Sequence, residues 1–380
     1  MSTWAEDVPS AGLFPPPRSI DTELFSAGKR QAPGLSAPLE TFASLRTTPE
    51  KVTGDELAIA CSVVSDWAME RGLALTGAQF IEAAAYALPD EARWANCAGR
   101  VCRRAGEHSR SAVWYERAFR LAVRSGDREE AIRSLLGYGG LLYAMGTYEQ
   151  ARPVFARAVR RATRTGRAKQ AAEAEHDLMT IASEIGTYHQ GASHLRRALR
   201  HYPVHHWRIP YLVHDFAYLL IQSRFYSPAL PLLHHVAALI KAPPEQALVL
   251  SAISRAAAGA GRYAEYRRFR ESSLALLTLY DEHAPAAYRN LALAAHLAND
   301  AGEAARIAAE TVTLARERRE RDIAESCERL LAQLAAGEPA PRETAPSEAD
   351  RVAELSQRLL SRLRRWQTPG RGRPVSRFER

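Results

Sequence analysis

The sequence predicts an all-α fold of stacked helical hairpins, and three observations predict it. From residue 53 to about 336, Ala, Leu, Arg and Glu dominate, and apolar residues recur three and four apart, the period of an amphipathic helix. Proline and glycine fall between these runs, at Pro89, Gly126, Gly166, Pro203, Pro210, Pro243-Pro244 and Pro285. The runs also repeat: Gly106, Gly146 and Gly186 stand forty residues apart in matching frames.

The chain divides into four parts. Residues 1–52 read as a flexible Pro/Ser-rich leader, because Pro, Ser, Gly and Thr interrupt every short apolar group and Pro15-Pro16-Pro17 cannot continue a helix. Only 22–27 and 39–45 are suited to a short turn or to docking. Residues 53–336 form the helical repeat domain. Pro210, Pro244 and Pro285 suit helix starts, where a missing N–H removes no hydrogen bond. Residues 337–347, with three prolines, form an extended linker. Residues 348–380 combine an amphipathic basic helix with an Arg-rich tail. Ser347 and Asp350 make a capping-box-like start, and Val352, Leu355, Leu359, Leu363 and Trp366 form one apolar stripe.

The repeat has a defined frame. Gly146 has Gly139 and Leu142 before it and Tyr148, Ala151, Phe155 and Ala158 after it. Gly106 has Gly99, Cys102, Ser111, Tyr115 and Ala118; Gly186 has Ala182, Tyr188, Gly191, Leu195 and Ala198. Weaker copies place Arg224, Gly261 and Asn299 in the turn slot, and Gly72 marks a degenerate first copy, for six to seven hairpins in all. Small residues where two helices cross let the backbones approach, and a large residue fills the space beside them. The turn residue takes the left-handed conformation that ends the first helix, which glycine adopts most readily.

This pattern resembles the tetratricopeptide repeat family over about residues 58–335. The match is closest in the run Gly139, Leu142, Gly146, Tyr148, Ala151, Phe155 and Ala158. The period of 37–40 residues exceeds the family's 34. Similar lengthening occurs in bacterial transcriptional regulators and peptide-sensing proteins of the family. The resemblance implies a right-handed α-α superhelix in which 321–335 serves as a capping helix. It also implies a concave groove, lined by the first helix of each hairpin, that takes a peptide or a partner helix.

Projecting the frame places Arg93, Asn96, Arg100, Arg103 and Arg133 on the N-terminal part of that wall. Then follow His176, Thr180, Tyr211, His214, Tyr218, Gln222, Arg255 and Arg289. A ligand acidic at one end with apolar anchors fits such a wall. Of the Lys/Asn/Arg clamp with which some family members hold a terminal carboxylate, only fragments are present: Asn96, Arg100 and Arg133.

Charge adds a second candidate surface. Residues 351–380 hold nine arginines and two glutamates, which is +7 of the total +8. Arg358, Arg362, Arg364, Arg365, Arg371, Arg373 and Arg377 could contact nucleic-acid phosphates or an acidic protein. Arginine richness itself (only Lys29, Lys51, Lys169 and Lys241 are lysines) is equally a compositional bias.

The sequence carries no glycine-rich phosphate loop, G-x-S-x-G or HExxH motif. His201, His205, His206, His214, His234 and His235 lack an arrangement that converges on a metal, since Pro203 breaks the helical face between His201 and His205. The four cysteines exclude a disulfide scaffold and read as packing residues. No apolar run reaches the length of a membrane span, and the first residues lack a secretory signal, so a cytoplasmic location is expected. The expectation is a non-enzymatic adaptor or regulatory subunit, with no cofactor or metal, binding a protein or peptide in its groove. The alternative is an RNA- or nucleoprotein-associated repeat protein using the Arg-rich end.

Overall fold

A computed structural model describes residues 33–185, 188–203, 205–318, 320–341, 343 and 349–367. Among them are seventeen α-helices and no strand. The helices follow the hairpin frame because the turn chemistry fixes where each first helix stops. Gly72, Gly106, Gly146 and Gly261 have φ near +70°, and Arg224 and Asn299 adopt φ of 64° and 60° without being glycine. After each, the next N–H bonds back to the carbonyl five residues earlier: Leu73 to Ala68, Glu107 to Cys102, Thr147 to Leu142, Phe225 to Leu220, Arg262 to Ala257 and Asp300 to Ala295. This is the Schellman closure, which satisfies a carbonyl the helix leaves open. The seventh turn slot, Gly186, lies outside the described residues.

The chain forms two compact units, Met1–Leu141 and Leu142–Arg380. Unit 1 contains α1 (Ser36–Thr47), α2 (Gly54–Glu70), α3 (Ala74–Ala87), α4 (Ala92–Arg104), α5 (His108–Ser125) and most of α6 (Arg128–Ala144). Thr53 and Glu56 close a reciprocal capping box at the start of α2. The core between α2 and α5 is built from Cys61, Ile81, Trp94, Val101, Cys102 and Trp114 among many alanines. Small residues do at the crossings what the frame requires: a Cβ on Gly99 would stand 2.8 Å from the Tyr115 ring. The helix α1 lies inside the segment read from sequence as leader. Phe42 sits 5.9 Å from the Phe80 ring and packs against the unit 1 core.

Unit 2 continues through α7 (Tyr148–Arg164), α8 (Ala168–Glu184), α9 (Tyr188–His201), α10 (Ile209–Gln222) and α11 (Tyr226–Leu239). Then come α12 (Pro243–Gly259), α13 (Tyr263–Leu277), α14 (Ala284–Leu297), α15 (Ala301–Glu317), α16 (Arg321–Ala335) and α17 (Ala349–Gln367). The prolines at 210, 243, 244 and 285 fall in first turns. The first helices α8, α10, α12 and α14 are buried on nearly all sides, because each packs against its own partner and against the next first helix. α17 packs on α10 and α11. Val352, Leu355, Leu359, Leu360 and Leu363 join the core that contains Leu212, Phe216, Leu230 and Leu233.

Candidate functional site

The chemistry of unit 2 gathers at equivalent slots of successive first helices. Ten residues before each turn residue stand His176, His214, Ser251 and Arg289; six before stand Thr180, Tyr218 and Arg255; Gln222 lies two before. Stacking α8, α10, α12 and α14 brings these slots together, and Tyr218, Gln222, Arg255 and Arg289 bond to one another. Arg289 Nη2 donates to the Tyr218 hydroxyl at 2.7 Å, and Gln222 Nε2 donates to the same oxygen at 2.9 Å. Arg255 Nη2 donates to Gln222 Oε1 at 2.8 Å and Nη1 to Asn290 Oδ1 at 3.4 Å. Both guanidiniums lie over the Tyr218 ring, 5.9 Å (Arg255) and 5.8 Å (Arg289) from its centroid.

Beside this network lies a cavity of ≈ 690 Å³. Its walls come from the α6–α7 turn (Met145 to Tyr148), the end of α8 (Ser183 to Ile185), Gln222, Arg289 and one face of α16. That face carries Arg321, Asp322, Glu325, Ser326 and Arg329, opposite the buried Ile323, Ala324, Cys327 and Leu330. Arg289 is its deepest charge, only 7% exposed. Asp322 Oδ2 is 3.8 Å and Glu184 Oε2 4.0 Å from Arg289 Nη1. A tyrosine holds each acid: Tyr148 donates to Asp322 Oδ2 at 3.1 Å and Tyr143 to Glu184 Oε1 at 3.2 Å.

Burial sets the protonation behaviour of the site. It raises the Glu184 carboxyl above the usual range, and Asp322 adds to the effect against the opposing pull of Arg289. Tyr143, Tyr148 and Tyr218 are pushed up by burial and remain neutral donors. Burial works against the Arg289 charge, but Tyr218, Glu184 and Asp322 outweigh it and hold the guanidinium ionised.

A second cluster adjoins on α8 and α10. His176 Nε2 donates to Asp215 Oδ2 at 2.9 Å and His214 Nδ1 to Asp215 Oδ1 at 2.8 Å. Burial opposes ionisation of Asp215, but these two bonds overcome it and hold its carboxyl below the ordinary range. Asp215 thus lies between the two imidazoles. No group of three or more His, Cys, Asp or Glu among the described residues is arranged to hold a metal.

The other expected groove residues have different surroundings. Thr180 bonds its own helix through the Asp177 carbonyl, and Tyr211 packs edge-on against Trp207. In unit 1, Asn96 donates to the Glu130 carbonyl and carboxylate, and Arg133 pairs with Glu129 and Glu130. Arg93 lies over Trp94, Arg103 reaches the crossing at Gly140, and Arg100 is exposed near Asp66. Of the thirteen groove residues, Gln222 and Arg289 line the unit 2 cavity. The α16 face and Glu184 were missed. The signal was present, because Arg321, Asp322, Glu325, Ser326 and Arg329 fall on one helical stripe of a segment read only as a cap.

The basic end is partly turned inward. Arg362 donates to the carbonyls of Leu199 and Tyr202, and Trp366 Nε1 donates to the His206 carbonyl at 3.2 Å. Leu199 is in the last turn of α9, so a cation there meets the negative end of that helix. Arg358 pairs with Glu354 on the exposed face, where Arg364 and Arg365 also lie. Arg371, Arg373 and Arg377 are outside the described residues. Cys61, Cys102 and Cys327 are buried and Cys97 half-buried; burial pushes Cys61 and Cys102 to about 12 and Cys327 to about 11.

The tetratricopeptide repeat family profile matches residues 90–164, which span α4 to α7 and the turns at Gly106 and Gly146. Over that segment the repeats are of the tetratricopeptide type. Among solved structures, the apo form of RapI is similar at 12% identity, covering 73% of this chain and 99% of RapI, with a TM-score of 0.51. A tetratricopeptide repeat protein from Parabacteroides merdae matches at 12% identity, covering 72% of this chain and 99% of its own, with a TM-score of 0.47. The Rap conjugation gene regulator of plasmid pLS20, solved with the Phr* peptide, matches at 15% identity, covering 83% and 77%, with a TM-score of 0.46. No curated protein sequence matches. No described helix is long and apolar enough to cross a membrane.

Proposed function

We propose that this chain is a non-catalytic adaptor that binds a peptide segment of a partner in the unit 2 cavity. One observation carries the reading: a cavity of ≈ 690 Å³ with Tyr148, Gln222 and Arg289 on its walls, backed by the buried Tyr218–Arg255 network. The volume falls within the range of sites that enclose small ligands or a few residues of peptide. The polar groups beneath it bond mainly to one another, which fixes their positions before a ligand arrives and lowers the ordering cost of binding. The lining contains no nucleophile paired with a base, and the buried thiols are held protonated, which favours recognition over chemistry.

Ser326→Trp would fill the mouth of the cavity, whereas Ser272→Trp on the exposed face of α13 would not. Full-length protein is applied to an immobilised library of random heptapeptides. Retention by wild type and Ser272→Trp, with loss in Ser326→Trp, is the expected result. Equal retention by Ser326→Trp would place recognition elsewhere.

A further inference from the structure

Resting on the peptide-binding reading above, we infer that Arg289 anchors a carboxylate of the bound peptide, and that Asp322 is the internal group this carboxylate displaces. A guanidinium offers five N–H donors in a planar fork and pairs with carboxylates at about 2.7–2.9 Å, often through two bonds. Arg289 is more than nine-tenths buried, lines the cavity, and uses Nη2 on the Tyr218 hydroxyl. Its Nε has no hydrogen-bond partner among the described residues. Neither neighbouring acid completes the fork, since Asp322 stops at 3.8 Å and Glu184 at 4.0 Å from Nη1.

The reason is on the walls of the same cavity. Tyr148 holds Asp322 and Tyr143 holds Glu184, so each acid is tethered short of the guanidinium. Burial already raises the Glu184 carboxyl, and a further anion beside it acts in the same direction. The result is a buried cation with an unpartnered Nε and only loosely placed counter-charges at Nη1, lining a cavity with Arg321 and Arg329 at its rim. A planar anion of carboxylate size has the matching shape and charge. The carboxylate can be the side chain of Asp or Glu or the peptide's own C-terminus.

The test uses full-length protein and a synthetic random heptapeptide library in two forms, with free and with amidated C-termini. Retained peptides are sequenced by mass spectrometry for wild type, Arg289→Gln, Arg289→Lys and Asp322→Asn. Enrichment of Asp or Glu in both forms identifies a side-chain carboxylate; retention of the free-acid form alone identifies the terminus. Arg289→Gln is expected to reduce the acid preference about tenfold, toward the lower end of what a hydrogen bond to a charged group contributes. Arg289→Lys is expected to keep part of the preference, and Asp322→Asn to strengthen it by removing the internal competitor. If Arg289→Gln does not fold, the comparison of Asp322→Asn with wild type decides. Wild-type retention with no acid preference in either form, or a weaker preference in Asp322→Asn, overturns the inference and leaves the peptide-binding reading standing. No retention of any peptide by wild type overturns both.

Discussion

The Tyr148 hydroxyl donates a hydrogen bond to Asp322 Oδ2 at 3.1 Å, joining residues 174 positions apart. Within unit 2 this brings the first turn of α7 against the first turn of α16, the two ends of its repeat array. A Cβ built on Gly146 would lie 3.5 Å from Asp322 Cβ, an ordinary van der Waals contact, so the glycine that ends α6 is required by its positive φ and not by this approach. The contact closes one side of the cavity and places Asp322 beside Arg289.

Removing only the hydroxyl isolates that contact. Tyr148→Phe is expected to lower stability by about 1 kcal/mol, the usual net worth of one hydrogen bond. It should also speed amide exchange at the start of α16, with little change in α10 to α12. Mass-spectrometric hydrogen exchange checks this, and unchanged exchange in α16 would mean that the bond does not hold the array closed.

The turn and crossing slots make opposite demands on size. A Cβ on Gly259 would stand 2.4 Å from the Tyr226 ring, so Gly259→Ala should destabilise by about 1–3 kcal/mol, as overpacking does. Arg224 holds φ at 64°, a conformation that penalises any side chain, so Arg224→Gly should stabilise by roughly 0.5–1 kcal/mol. Urea denaturation of both variants reads the two signs directly.

The positions of these slots were legible because they repeat. Turn residues, small crossing residues and first-turn prolines are local requirements, and a forty-residue frame aligns them. Even Arg224 and Asn299 were identified from the frame despite not being glycine. The partners of the polar side chains were not legible in this way. Whether His176 meets Asp215, or Arg289 meets Tyr218, depends on the rotation between hairpins that no single repeat encodes. The return of α17 onto α10 and α11 follows the same rule: its apolar stripe was visible, but the face that covers it was not.

The docking of α17 is accordingly a packing event and gives its own prediction. Leu359 is fully buried in the shared core, and Leu359→Ala should cost about 2–5 kcal/mol of local stability. Limited trypsin digestion should then remove the C-terminal helix faster than in wild type while the rest of unit 2 persists. Equal digestion rates would show that the helix is not held by this stripe.

Two acids of unit 2 predict opposite pH effects. The folded state holds Asp215 below its ordinary value of 3.8, so its contribution is present above that value and is lost as pH falls through the depressed value. The folded state holds Glu184 above 4.5, so its contribution is present below that value and is lost as pH rises through the raised one. Chemical denaturation across the acid range should show the stability gap between wild type and Asp215→Asn narrowing toward low pH. Glu184→Gln should gain on wild type as pH rises through the raised value. A pH-independent difference for either variant contradicts the assigned bonds.

Recognition in the unit 2 cavity should leave a local footprint on its walls. The most direct measurement is hydrogen exchange of the full-length chain with and without the heptapeptides it retains. Slowed exchange is expected at the α6–α7 turn, the ends of α8 and α10, and the first half of α16. Slowed exchange confined to residues 92–141 would contradict this and move recognition to unit 1.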